Sequence, residues 1–172
     1  VKSKSAANVK TLHLMRHAKS AWDDATLSDR QRGLNGRGRR DAPRMGAALA
    51  ERMAPLPITV SPALRAQLTL QGLCAGWAAL GAQRHQTCEA LYTFDAADLC
   101  TWLGAQDDAL RALFIIGHNP ALTELANALC PGEGIANLPT AGYLELSLDI
   151  DRWREMRRDC GTIVFSLFPR QL

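Results

Sequence analysis

An Arg-His pair follows the first apolar run of this chain, in Leu12-His13-Leu14-Met15-Arg16-His17-Ala18-Lys19-Ser20. Such a run reads as a strand, and open α/β sheets place their ligands beyond the carboxyl ends of their strands. The arrangement recurs at two later points. Arg65 follows the run Leu56 to Val60, within Ser61-Pro62-Ala63-Leu64-Arg65-Ala66, and His118 follows Leu113 to Ile116, within Gly117-His118-Asn119-Pro120. Two arginines and two histidines gathered at one sheet edge would make a phosphate pocket. Guanidinium forks match phosphoryl oxygens, and a neutral imidazole can attack phosphorus and split one hard displacement into two easier ones. In that scheme His17 is the nucleophile, kept neutral because the surrounding cations make a further positive charge costly. Arg16 and Arg65 bind the phosphoryl oxygens. His118 donates to one of them, with help from Asn119 or the backbone opening the next helix. Ser20 is a further candidate donor to phosphate, and Trp22 either lines the rim or caps the core.

The elements that must position these groups can be read from periodicity. The runs Leu12 to Met15, Leu56 to Val60 and Leu113 to Ile116 are short, apolar and bounded by polar or turn residues, as central strands are. From Asn35 onward Ala42, Met45, Leu49 and Met53 recur at helical spacing, and Pro55 with Pro57 closes that helix. A second helix is predicted from about Pro62, with Ser61 as N-cap and a stripe of Leu64, Leu68, Leu73, Trp77 and Leu80. Further helices are expected over Ala96 to Gly104 and Pro120 to Cys130, and late strands over Tyr143 to Leu148 and Thr162 to Phe168. The alternation predicts an α/β fold, a three-layer α/β/α sandwich with a mostly parallel central sheet whose last two strands extend one edge.

A chain of 172 residues, 47% hydrophobic and 22% charged, fits one domain over residues 9–172 behind a flexible tail at 1–8. Lys2 and Lys4 lead into no apolar stretch, so no secretory signal is predicted and a cytoplasmic location is expected. No run approaches the roughly 20 apolar residues of a membrane span. The five cysteines form no C-x-x-C pair and are odd in number, which favours reduced thiols and argues against structural zinc. No metal and no cofactor is expected, and His13, His85 and the cysteines are read as packing residues. The net charge of +3 is unevenly spread, with Arg30, Arg32, Arg37, Arg39, Arg40 and Arg44 in one short segment. This is either a solvated helix face paired with local acids or a surface that meets an anionic partner. Without interleaved aromatics it does not suggest nucleic acid.

The segments around Arg16-His17, Ser61 to Ala66 with Thr69, and Gly117 to Pro120 resemble the histidine phosphatase superfamily, with its phosphoglycerate-mutase-like fold. They are most similar to its SixA-like phosphohistidine phosphatase branch. Trp22-Asp23-Asp24, Leu34-Asn35 with Gly38 to Gly46, Leu91-Tyr92 and Asn137 to Ala141 extend the similarity over nearly the whole chain after the tail. The resemblance implies a metal-independent phosphatase in which His17 is phosphorylated while Arg16, Arg65 and His118 hold the phosphoryl group. It also implies that Arg32 lies in a substrate loop, where Gly33 replaces a proline common in similar sequences.

Larger members carry a glutamate as general acid, whereas this chain has Leu91-Tyr92-Thr93 near that place. Glu89 or Asp95 would have to substitute, or no side-chain acid is used. Losing such an acid costs typically about 10²- to 10⁴-fold on a poor leaving group, which favours a phosphoramidate over an ester. The expected substrate is a phosphorylated protein, such as a phosphohistidine-carrying domain, reached through an open, shallow site toward which the Arg30 to Arg44 segment could steer an acidic partner. The alternatives are a phosphatase or mutase for a small phosphoester metabolite and a non-catalytic phosphoprotein-binding module.

Overall fold

The computed structural model describes residues 9–132 and 134–172, so the tail expected at 1–8 lies outside the described residues. In chain order the elements are β1 (Lys10–Arg16), α1 (Gly36–Ala50), β2 (Ile58–Val60), α2 (Leu64–Gly76), α3 (Ala78–Gly81), β3 (Gln86–Thr87), α4 (Ala96–Gly104), β4 (Ala112–Gly117), α5 (Ala121–Leu129), β5 (Tyr143–Leu148) and β6 (Gly161–Leu167). The strands form one sheet in the order β3-β2-β4-β1-β5-β6. β3, β2, β4 and β1 run parallel, while β5 and β6 add an antiparallel edge, as the alternation predicts.

Each strand face buries its own apolar set. Leu12 and Leu14 of β1 join Leu99, Leu103, Leu122 and Leu125 of α4 and α5, whereas Met15 joins Met45, Leu49, Leu70 and Leu73 of α1 and α2. That alternation follows from the two-residue period of a strand buried on both faces. It fixes β1 in the middle of the sandwich, with the Arg16-His17 pair emerging where the sheet ends. The register Arg16 opposite Gly117 brings His118 to the same edge, and Ser61 follows β2 there.

α1 and α2 lie close enough that glycine is required between them. A Cβ at Gly46 would stand 2.2 Å from the Leu73 carbonyl oxygen, and one at Gly76 would stand 1.9 Å from that of Pro43. This contact locks the helix that carries Arg65 against the helix that follows the β1 loop. Asn35 caps α1 by accepting from Gly38 N at 2.9 Å.

Two local expectations change, and one strand is new. The second helix stops at Gly76, because Trp77 leaves helical geometry (φ −143°, ψ 87°), and Leu80 belongs to the separate turn α3. Ala63, not Ser61, is the N-cap of α2, and the Ser61 side chain turns toward His118. β3 is only two residues long, too short for any periodicity to reveal it.

Candidate active site

His17 leaves β1 held on both sides by backbone. Its N–H donates to the Gly117 carbonyl at 3.2 Å, and Ala141 N–H donates to the carbonyls of both Arg16 and His17 at 3.1 Å. Next to it, Ala18 N–H donates to Thr69 Oγ1 at 2.8 Å, and that hydroxyl donates to the Arg65 carbonyl at 2.7 Å. Thr69 therefore ties the loop after β1 to the first turn of α2.

The His17 ring has a defined tautomer. Nδ1 lies 2.8 Å from the Ala18 carbonyl oxygen, which can only accept, so the proton is on Nδ1 and Nε2 keeps its lone pair. Nε2 accepts from Arg65 Nε–H at 3.2 Å. Burial pushes the imidazole down to about 3, reinforced by His118, Arg65 and Arg16 and opposed by the bond to Ala18. The ring is neutral throughout the physiological range.

Arg65 is 2% exposed and joins the site together. Its Nη1 donates to the Asp29 carbonyl at 2.7 Å, and its Nη2 donates to Asp29 Oδ2 at 3.0 Å and to His118 Nδ1 at 3.2 Å. A guanidinium has no acceptor, so His118 carries its proton on Nε2, which donates to Ser61 Oγ at 2.7 Å. Burial and then Arg65 lower His118 to about 3 as well, against the pull of Asp29. The rings of Tyr92 and Phe94 stand against His118, with centroids at 5.4 and 5.5 Å.

Arg16 donates through Nη1 to the Leu138 carbonyl at 3.0 Å, while its buried Nε–H has no partner among the described residues. A buried donor left without a partner is unusual and suits an incoming anion. Arg32 has the same feature at Nε, pairs with Asp29 Oδ1 and stacks its guanidinium 3.4 Å from the centre of the Trp22 ring. Trp22 is 69% exposed, so it belongs to the rim and not to the core.

The remaining candidates are engaged elsewhere. Asn119 accepts at Oδ1 from Thr123 N and Oγ1 and donates through Nδ2 to Asn137 Oδ1 and the Leu138 carbonyl, so its side chain anchors α5 to the 137–138 loop. Ser20 is buried, forms a backbone bridge with Leu34 and lines a neighbouring hollow with Trp22. Glu89 is chelated by Arg30 at 2.9 and 3.0 Å, Asp95 caps α4 through Ala97 N, and Thr93 donates to Asp98. Among the described residues neither Glu89 nor Asp95 has a hydrogen bond to Arg16, His17, Arg65 or His118.

Sequence reasoning missed Asp29, the role of Tyr92 and the bond from His118 to Ser61. Asp29 faces three partners, since it also accepts from the Tyr92 hydroxyl at 2.5 Å. Burial resists its ionisation, yet Tyr92, Arg65 and Arg32 together hold the carboxyl below its usual range. An acid directly before Arg30 and three residues before Arg32 was the available signal. Among the described residues no cluster of His, Cys, Asp and Glu suits a metal ion, and no helix is long and apolar enough to cross a membrane.

Residues 12–99 match the sequence pattern of the histidine phosphatase superfamily (branch 1). No curated protein matches the chain. Among solved structures, the protein histidine phosphatase SixA complexed with tungstate is 25% identical with a TM-score of 0.76, over 94% of this chain and 98% of that one. A SixA protein from Nakamurella multipartitia is 18% identical with a TM-score of 0.76, covering 94% and 96% of the two chains. A phosphoglycerate mutase from Bacillus anthracis is 13% identical with a TM-score of 0.64, covering 91% and 92%. With its phosphoglycerate-mutase-like sheet and a family match over half its length, the chain belongs to the histidine phosphatase superfamily and is a phosphatase.

Proposed function

We propose that the chain hydrolyses phosphohistidine displayed on another protein, through a covalent phosphoryl intermediate on His17. The observation that carries this reading is the protonation pattern of the pocket. His17 is neutral with Nε2 unprotonated, and Asp29, among the described residues the one carboxylate hydrogen-bonded to Arg65, is held ionised as an acceptor. Among the described residues, no protonated carboxyl is hydrogen-bonded to the four residues of the pocket to serve an alkoxide leaving group.

In the first step the Nε2 lone pair of His17 attacks phosphorus and the P–N bond to the substrate imidazole breaks, its electron pair returning to that nitrogen. The departing imidazole is neutral when its distal nitrogen carries a proton, so it needs no side-chain acid. Arg16 and Arg65 neutralise the equatorial oxygens as charge spreads over them, while His118, whose Nε2–H is given to Ser61 and whose Nδ1 accepts from Arg65, orients that guanidinium and does not itself donate to the phosphoryl group. Water then attacks phosphorus, the P–Nε2 bond breaks, and its electron pair returns to His17. The relative that takes tungstate, an oxyanion, is consistent with a pocket of this charge.

The test is intact-mass detection of phospho-enzyme after mixing the wild type and His17→Ala with a phosphohistidine-bearing protein under a rapid, acid-free quench. A phosphorylated wild type and an unmodified, inactive variant are expected. Turnover by the variant at the wild-type rate would remove His17 from the mechanism. Hydrolysis of a sugar phosphate far faster than phosphohistidine would replace the substrate class with a small phosphoester.

A further inference from the structure

Apart from Arg39, which donates through Nε to the Leu34 carbonyl at 3.2 Å, the arginine-rich segment divides into two sets with different surroundings. Arg30 and Arg32 turn to the rim of the His118 side, where Glu89 and Asp29 neutralise them. Arg37, Arg40 and Arg44 point along α1 to a separate hollow of about 560 Å³, completed by Asn137, Pro139, Thr140, Phe168, Pro169 and Arg170. Its one acid is Asp41, buried beneath the cluster, which faces Arg37, Arg40 and Arg44 at 4.0, 3.8 and 3.9 Å without hydrogen-bonding any of them. One carboxylate shared by three guanidiniums leaves a net positive concavity once Arg170 is added. The side chains of Arg37, Arg40 and Arg44 are 54%, 62% and 43% exposed; Arg37 gives one donor to Thr140 Oγ1 and Arg44 one to the Leu172 carbonyl at 2.6 Å, and the three guanidiniums line the hollow.

The hollow shares a wall with the active site. The 137–140 loop lines it through Asn137, Pro139 and Thr140, while its Leu138 carbonyl accepts from Arg16 and from Asn119. Arg37 ties α1 to the same loop by donating to Thr140 Oγ1 at 3.2 Å. A macromolecule that presents a phosphorylated side chain to His17 would therefore lay an adjoining segment over this loop and into the hollow.

We infer that the arginine hollow between α1 and the 137–140 loop is a docking site for an acidic segment of the substrate protein, adjacent to its phosphorylated side chain. The inference rests on the reading of the substrate as a protein and extends it by naming the chemistry of its flank. A run of Asp and Glu fits better than the other polyanions. The site is concave where a lipid surface is flat, and its aromatic ring, Phe168, lies under the Arg170 guanidinium at 5.7 Å instead of offering a bare face to a nucleobase. Four guanidiniums with both charge and fork geometry match carboxylates, and their field would speed encounter with an acidic partner.

The experiment measures fluorescence anisotropy of a labelled glutamate-rich peptide, and of its glutamine counterpart, with wild type, Arg40→Gln/Arg44→Gln and Arg170→Ala. Hydrolysis of free phosphohistidine is followed in parallel. The wild type should bind the glutamate peptide and not the glutamine one, with affinity falling as salt rises. The double variant should bind about five- to tenfold more weakly, as expected for the loss of two exposed charge pairs, and Arg170→Ala, which leaves α1 untouched, should weaken binding in the same direction. Hydrolysis of free phosphohistidine should be the same for all three proteins. Equal binding of the two peptides by wild type, or undiminished binding by both variants, would overturn the docking site. Tighter binding of an oligouridylate through the same arginines would overturn it in favour of nucleic acid. Discriminating peptide binding without any phosphohistidine hydrolysis would uphold the docking site and sink the substrate reading instead.

Discussion

Arg65 and Arg40 both stand in the opening turns of helices, yet Arg65 is 2% exposed and the Arg40 side chain 62%. Arg65 spends its donors on His17, His118 and Asp29, so its position is set to within hydrogen-bond tolerance before any substrate arrives. Arg40 shares a carboxylate at 3.8 Å with two other arginines and is otherwise exposed. One cation acts through geometry and the other through its field. Pre-organisation is what stabilises a developing charge, whereas exposed charge governs encounter.

Replacing each arginine by lysine separates these roles most sharply, because the charge stays while the fork is lost. Arg65→Lys should lower kcat on a phosphohistidine peptide by roughly 10²- to 10³-fold, as removal of a transition-state donor does. Arg40→Lys should change it by less than about twofold, since exposed ion pairs contribute little. Similar losses at the two positions would abolish the distinction.

The buried region also carries the pH dependence. His17 and His118 protonate in the folded protein at about 3, and His13, lowered by burial, at about 4. In the unfolded chain all three take a proton near pH 6.5. Between those values the unfolded state binds more protons, so stability should be lost as pH falls below 6.5, by at most about 1.4 kcal/mol per pH unit for each histidine. Denaturant unfolding at pH 7 and pH 5 measures this, and an unchanged midpoint would mean that the histidines are solvated.

Asp29 tests what holds Arg65 in place. Asp29→Asn keeps the backbone acceptor and an amide oxygen but removes the charge, which should lower kcat about tenfold with KM little changed, in keeping with the loss of one charged hydrogen bond. A rise in kcat would mean that the carboxylate competes with substrate for Arg65 instead of orienting it. The smallest effect belongs to the exposed face, where Arg40→Gln should alter unfolding free energy by less than about 0.5 kcal/mol.

Most of this frame was legible in the residues. Arg16, His17, Arg65 and His118 each follow an apolar run, and strand topology alone brings them to one edge. The α4 boundaries, Ala96 to Gly104, and β5, Tyr143 to Leu148, agree with the expected spans because their periodicity is unbroken. What escaped lies in loops, where no period exists. Asp29 reaches Arg65 across the gap between a turn after β1 and the start of α2, a contact that only the assembled fold creates. The Trp77 break was hidden because Leu80, on α3, continues the apolar stripe past the end of α2. The basic segment is a different case, since its run of arginines does not reveal that Arg30 and Arg32 lie at one surface and Arg37, Arg40 and Arg44 at another.

The proton on His17 is placed by the main-chain oxygen of Ala18, and Arg16 is steadied by that of Leu138. Side chains at positions 18 and 138 can drift without removing either acceptor, provided the backbone keeps its path. The tautomer of the nucleophile is thus inherited with the fold and is not encoded by any one neighbouring residue. A lineage could therefore exchange most of its sequence, altering partners and rim, while the chemistry at Nε2 stayed unchanged.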